Sequence, residues 1–206
     1  MASVWFGATF KDYMATVIIM EKKELRKKLL DQLLSLTKEE IKRRSENVEK
    51  ILSELPLYKE AKVIMGYFPL NGEVDVLEMF RKAWGDKRFC FPVMDTEKKD
   101  LRVFEVTNLS GCFVSGPYGV MQPDPAQTKE IDVSQLDMVI VPGIGFDRNK
   151  NRLGRGAGFY DRFLGKISAP VSKIGVAFDF QILDDLPVHL PFDQKVDVVV
   201  SEKYFI

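Results

Sequence analysis

The stretch Pro142-Gly143-Ile144-Gly145-Phe146-Asp147-Arg148-Asn149-Lys150-Asn151-Arg152-Leu153-Gly154-Arg155-Gly156-Ala157-Gly158-Phe159-Tyr160-Asp161-Arg162 decides how the chain is read. It follows an apolar run, Met138 to Val141, that reads as a buried strand. Glycine at alternate positions, 154, 156 and 158, lets a backbone turn sharply and bring its N–H groups against a ligand. Arg152 and Arg155 add fixed positive charge on planar forks of donors. Phe159, Tyr160 and Asp161 lead into Phe163 to Ile167, an apolar segment suited to open a helix whose N-terminus would face the same place. These features converge on a phosphate. Asp161 makes a poor phosphate contact but a good Mg²⁺ ligand, because Mg²⁺ is held by one or two carboxylates together with substrate phosphates. On spacing alone a structural loop stays open as an alternative. The run is neither the G-x-G-x-x-G dinucleotide fingerprint nor a P-loop, since no G-K-S/T follows it.

Working outward, 206 residues suffice for one domain with a sizeable core. Lysine plus arginine equals aspartate plus glutamate at 30 each, which removes any global electrostatic case for nucleic acid or an acidic membrane. A hydrophobic share of 46% argues against disorder. No apolar run is long enough to span a bilayer. Cys90 and Cys112 are too few for a disulfide scaffold and read as small apolar fillers. The single histidine, His189, rules out multi-histidine metal sites and reads as a loop residue among Pro187 and Pro191.

Residues 1–20 read either as a disordered leader or as an overlong start, with no basic n-region and an apolar piece, Ala15 to Met20, too short for a signal core. Residues 21–206 read as a single domain. From Glu21 a helix is expected, with Leu25, Leu29, Leu30, Leu33 and Leu34 on one face. Lys22, Lys23 and Arg26 stand at its head, where a solvated basic end is the plainer reading and the helix dipole makes an anionic partner attractive. Thr37 to Glu40 forms a capping box that opens a second helix running to Leu55, stopped by Pro56. Ala61 to Phe68 reads as a strand, Val76 to Trp84 as an amphipathic helix ended by Gly85, and Arg88 to Val93 as the next strand. That order indicates a parallel βαβ unit, with ligands past the carboxyl ends of its strands. Phe68, Leu70, Glu73 and Asp75 fall there, although Glu73 also suits a helix start. Leu101 to Val106, Lys173 to Phe178 and Asp193 to Val200 read as further strands, and Asn108 to Pro125 as a turn-rich segment. The fold class expected is α/β, three-layered, with a mainly parallel sheet.

The whole string P-G-x-x-F-D-x-x-x-x-R-L-G-x-G-x-G-x-Y-D resembles the signature of the 5-formyltetrahydrofolate cyclo-ligase (5,10-methenyltetrahydrofolate synthetase) family. The resemblance implies an arrangement related to sugar-phosphate isomerases and CoA transferases. It implies cyclisation of 5-formyltetrahydrofolate to 5,10-methenyltetrahydrofolate, with ATP converted to ADP and phosphate. Phosphorylation of the formyl oxygen fits that chemistry, because it activates a poor electrophile and makes a departing group out of an oxide. By the same resemblance, ATP is held by Lys22, Lys23 and Arg26, matching a Lys-x-x-Leu-Arg element, and by Arg152, Leu153, Gly154, Arg155, Gly156, Ala157, Gly158, Phe159 and Tyr160. Mg²⁺ falls to Asp161 and Asp193, although Asp193 also suits a turn cap. The folate side falls to Tyr67 or Phe68 with Glu73, and to Arg155, Phe159 and Tyr160. Gln122-Pro123 and Gln181 match further family features, and Tyr118 and Met121 are candidates to line a pterin slot. Three departures stand out: Ala157 where many members carry lysine, Phe159 for a frequent tyrosine, and Lys150 for a common glycine. A cytoplasmic enzyme is expected, a monomer or alternatively a dimer, with small-molecule substrates and, from the balanced charge and the lack of a long apolar run, neither nucleic acid nor membrane as partner. The rivals are an isomerase- or transferase-type enzyme that needs no ATP, and a non-catalytic folate or nucleotide sensor.

Overall fold

The structure is a computed structural model that describes residues 10–168, 170–187 and 190–206, with side chains from residue 19 onward. Helix α1 (Phe10–Leu34) starts well before the expected Glu21. The segment from Phe10 to Met20 contains neither glycine nor proline, so nothing local stops the helix, while its unpatterned apolar residues hide it from a periodicity reading. The leader reading for residues 1–9 and the loop reading for His189 lie outside the described residues. Leu29 and Leu33 are buried as expected, whereas Leu34 is exposed. The capping box at Thr37 opens α2 (Lys38–Glu54): Glu40 N–H donates to Thr37 Oγ1 at 3.2 Å, and Thr37 N–H to Glu40 Oε2 at 2.9 Å. A short α3 (Pro56–Glu60) follows Pro56, which suits a first helical turn because its missing N–H has no partner there anyway.

Strand β1 (Val63–Met65) is shorter than the expected Ala61 to Phe68. It ends where Gly66 lies against the ring of Phe80, with no room for a Cβ. Helix α4 (Leu77–Lys82) then crosses to β2 (Arg88–Asp95), which turns back into β3 (Asp100–Val106). The turn-rich segment after it holds a small antiparallel ribbon, β4 (Phe113–Ser115) with β5 (Met121–Pro123), before β6 (Lys129–Ile131). Next come β7 (Met138–Pro142), β8 (Gly145–Asp147), β9 (Arg152–Leu153), α5 (Phe159–Leu164), β10 (Ser172–Val176), β11 (Ile182–Leu183) and β12 (Val198–Val200). Helix α5 thus opens at Phe159 rather than Phe163, on Gly158 at φ 73°.

The main sheet has seven strands in the order β12-β10-β7-β1-β2-β3-β6. The five strands from β12 to β2 are parallel, and β3 and β6 add an antiparallel edge, so the sheet is mixed. The edge is antiparallel because the chain turns back tightly between Asp95 and Asp100, too short a link for a parallel crossover. Alternate strand residues feed two cores. Ile64, Met138, Ile140 and Ile174 pack with α1 to α4, and Met65, Val139, Val141 and Val199 pack with Phe163 and Leu164 of α5. A strand buried on both sides must be apolar throughout, which is why Met138 to Val141 stood out in the sequence.

Candidate functional site

The carboxyl ends of β1, β2 and β7 open into one pocket of about 400 Å³. Phe68 and Leu70 come from the chain after β1, Pro92 and Met94 from β2, and Pro142 and Gly143 from the end of β7. Tyr118, Met121 and Gln122 close one side from the β4–β5 ribbon. The opposite wall is the glycine loop, with Arg152, Gly154 to Tyr160 and Asp161. One wall is therefore mostly apolar and the other carries the charges.

Local chemistry shapes the loop. After β7 the chain makes a narrow hairpin, β8 with β9, at whose turn buried Asp147 accepts Asn151 N–H at 2.9 Å and Asn151 Nδ2 at 2.7 Å. Lys150, in the place of a common glycine, holds φ 64°, the left-handed conformation that glycine adopts without strain. Gln181 clamps the start of the stretch, donating to the carbonyls of Gly143 at 2.9 Å and Ile144 at 3.0 Å. A Cβ on Gly154 would stand 2.9 Å from the Arg152 guanidinium, so glycine is what lets that side chain lie under the loop. Gly156 and Gly158 take φ 107° and 73°.

The two loop arginines differ. Arg152 has a side chain only 4% exposed, donates to Asp161 Oδ1 at 2.9 Å and to the Pro142 carbonyl at 3.3 Å, and lies 5.4 Å from the Tyr160 ring centre. Arg155 is 42% exposed and reaches across the pocket, giving Glu73 Oε1 two hydrogen bonds at 3.1 and 2.7 Å. Glu73 Oε2 accepts the Leu70 N–H at 2.9 Å. Arg152 Nε and the Tyr160 hydroxyl are buried with no hydrogen-bond partner among the described residues. Unpartnered buried polar atoms are costly, and two of them beside a pocket mark where a ligand would complete the network. Burial, reinforced by the nearby Glu73, raises the Tyr160 pKa and keeps its phenol a donor.

Helix α1 closes the charged side. Lys22 and Arg26, one turn apart, face the loop: Lys22 forms an ion pair with Asp193, and Arg26 Nε donates to the Gly154 carbonyl at 2.8 Å. Burial lowers the Arg26 pKa, and the negative charges of Asp193 and Asp161 oppose that shift. Because α1 begins at Phe10, these cations sit in mid-helix, and the dipole argument for an anionic partner does not apply; the partner is set by tertiary contact. Lys23 is exposed, turned about 100° from Lys22 around the axis.

Most of the expected site residues meet here, and the exceptions have plain causes. Leu153 is 2% exposed with its side chain in the core, so it offers the pocket no side-chain contact. Tyr67 lines the pocket, but its hydroxyl is committed to the Val74 carbonyl at 2.6 Å, leaving Phe68 the more available ring. Phe159 meets Tyr118 edge-on at 6.4 Å, a wall that needs no hydroxyl at 159. Asp193 also accepts the Leu190 N–H at 2.8 Å, so it caps a turn besides pairing with Lys22. Pro92, Met94 and Leu101 were missed; the signal for them was their place at the far end of the β2–β3 hairpin, which the sequence left unpaired.

Comparison with known proteins adds an independent line. The model of the 5-formyltetrahydrofolate cyclo-ligase family matches residues 18–202. A 5-formyltetrahydrofolate cyclo-ligase of Mus musculus is 26% identical over 197 residues, 91% of this chain and 97% of the mouse protein. The NMR structure of Aquifex aeolicus 5,10-methenyltetrahydrofolate synthetase matches with a TM-score of 0.77 at 35% identity, covering 89% of this chain and 91% of that one. A structure of the Mycoplasma pneumoniae 5,10-methenyltetrahydrofolate synthetase matches with a TM-score of 0.69 at 23% identity, over 89% and 99% of the two chains, and bears on the fold alone.

Proposed function

The chain belongs to the 5-formyltetrahydrofolate cyclo-ligase family, a family of ligases, and from that premise we propose that it closes 5-formyltetrahydrofolate to 5,10-methenyltetrahydrofolate with ATP and Mg²⁺. The observation that carries this reading is the division of one pocket into an apolar slot and a wall of glycine backbone, arginine and carboxylate. The slot, with Phe68, Met94, Met121 and Phe159, suits a flat pterin ring, and Glu73 offers it an acceptor. The loop from Gly154 to Gly158, with Arg155 and with Arg26 and Lys22 from α1, suits a triphosphate. Transfer of the terminal phosphoryl group to the formyl oxygen needs mainly positioning and charge neutralisation, which such a wall supplies. The N10 nitrogen then attacks the activated carbon and forms the new C–N bond, its proton passes to solvent, and the C–O bond breaks as phosphate leaves with the former formyl oxygen.

The residues present fit a magnesium ion. Asp161 and Asp193 come close together, for the N–H of Gln194, the residue after Asp193, approaches Asp161 Oδ1 at 3.4 Å. That suits an ion completed by phosphate oxygens and water rather than by a protein cage. Bound there, Mg²⁺ would neutralise phosphate charge. Lys22 and Arg152, which hold the two carboxylates without it, keep both oriented.

The alternation of strand residues between two cores supports a three-layer arrangement, and its kinship with sugar-phosphate isomerases and CoA transferases remains part of the proposal. Among the described residues no helix is long and apolar enough to cross a membrane. A cytoplasmic monomer is the state we propose. The test is the absorbance of methenyltetrahydrofolate formed from 5-formyltetrahydrofolate, with and without ATP and Mg²⁺. Product only with both supports the reading; product without ATP favours an isomerase-type enzyme, and tight binding with no product favours a sensor.

A further inference from the structure

We propose that the Glu73–Arg155 pair couples the two substrates, so that folate bound at Glu73 releases Arg155 to the nucleotide and each ligand tightens the other. This rests on the reading of the pocket as a joint folate and nucleotide site. Three observations carry it. First, the pair spans the pocket, joining the chain after β1 to the glycine loop across 82 positions of sequence, so its two members lie on the two walls assigned to different ligands. Second, Arg155 is the loop arginine that is able to move. Arg152 is 4% exposed and committed to Asp161 and the Pro142 carbonyl, whereas Arg155 is 42% exposed and stands between Gly154 and Gly156, the latter at φ 107°. Third, Glu73 is held in place. Its side chain is 9% exposed and its second oxygen accepts the Leu70 N–H, so it stays when Arg155 leaves.

The sign of the coupling follows. A nucleotide binding alone draws Arg155 towards its phosphates and leaves Glu73 a nearly buried carboxylate without its cation, which is unfavourable. A reduced pterin presents ring N–H and amino donors that replace those two lost hydrogen bonds. With both ligands bound, Glu73 and Arg155 are each satisfied, and the cost of separating them is met once rather than twice. Linkage makes the effect reciprocal, with an expected size of about 5- to 150-fold in affinity.

The test measures the affinity of a non-hydrolysable ATP analogue with Mg²⁺ by calorimetry, with and without saturating 5-formyltetrahydrofolate. In the wild type, folate is expected to tighten the analogue about tenfold. In Glu73→Gln, whose amide oxygen still accepts from Leu70 but holds Arg155 weakly, the analogue alone is expected to bind more tightly than to wild type, with the folate effect reduced below about twofold. Arg155→Gln examines the pair from the other side: nucleotide affinity drops and folate no longer changes it. Undiminished coupling in Glu73→Gln or in Arg155→Gln, each with a wild-type melting curve, overturns the coupling and leaves the site reading standing. Failure of the analogue to bind the wild type under either condition overturns both.

Discussion

Asp161 is held by a cation of its own chain, Arg152. Its Oδ1 accepts from Arg152, and the backbone N–H of Gln194 approaches it at 3.4 Å. Asp161→Asn keeps an acceptor for Arg152 but removes the charge. The expected result is loss of Mg²⁺-supported turnover, with a stability cost of about 1 kcal/mol by chemical denaturation, because a neutral acceptor replaces a charged one in the bond from Arg152. Turnover near the wild-type level would remove Asp161 from the metal site. The pairing of Arg152 with Asp161 was hidden in the sequence. The D of the signature stood out there only as an expected ligand, whereas the burial of Arg152 beneath it depends on Gly154 lying over its guanidinium, a contact that no spacing encodes.

Elements show a different balance. The second helix announced itself completely, because a capping box is a reciprocal bond between residues three apart, and both bonds formed. Thr37→Ala removes the acceptor for Glu40 N–H. It is expected to destabilise the protein by about 1 kcal/mol, read from denaturant midpoints at unchanged slope. Stability equal to wild type would mean that packing of Val48 and Leu52 alone holds the helix start. The antiparallel ribbon at Phe113–Ser115 and Met121–Pro123 was not legible. Its six paired residues carry no alternation of their own and are held by context: Phe113 packs on Phe68 and Phe91, and Gln122 Oε1 accepts the Met94 N–H at 3.1 Å. The ribbon matters because it brings Tyr118, Met121 and Gln122 over the pocket.

At the scale of the molecule, α2 and α4 pack around a carboxylate that lies outside the pocket's charged wall. Glu49 of α2 is 5% exposed; burial raises its pKa, while the bond from Met79 N–H at 2.8 Å and nearby Lys82 offset part of the rise. With its folded pKa above the unfolded one, the folded chain holds more protons than the unfolded between the two values. Stability from this group therefore falls as pH rises through the window just above the ordinary carboxylate range. Glu49→Gln is expected to gain stability relative to wild type on going from about pH 4 to about pH 7, measured as the difference between the two melting temperatures at each pH. A difference that moves the other way would mean that Lys82 and Met79 outweigh burial. Acid-side losses common to both proteins, from carboxylates such as Glu105, whose hydrogen bond from Arg88 lowers its pKa, cancel in that difference.

The sequence by itself determined what neighbouring residues can enforce: the buried run Met138 to Val141, the cap at Thr37, the stop at Pro56, the glycine loop, and a motif specific enough to point to a family. Tertiary structure alone decided which charges meet. Lys22 finds Asp193 across 171 positions and Arg155 finds Glu73 across 82, because the strand order carries the ends of β1, β2 and β7 to one place and α1 packs beside them. Local preferences act over a few residues and are written in their order. Ion pairs across a pocket depend on where a seven-stranded sheet delivers its loop ends, and that placement is set by the burial of two cores at once.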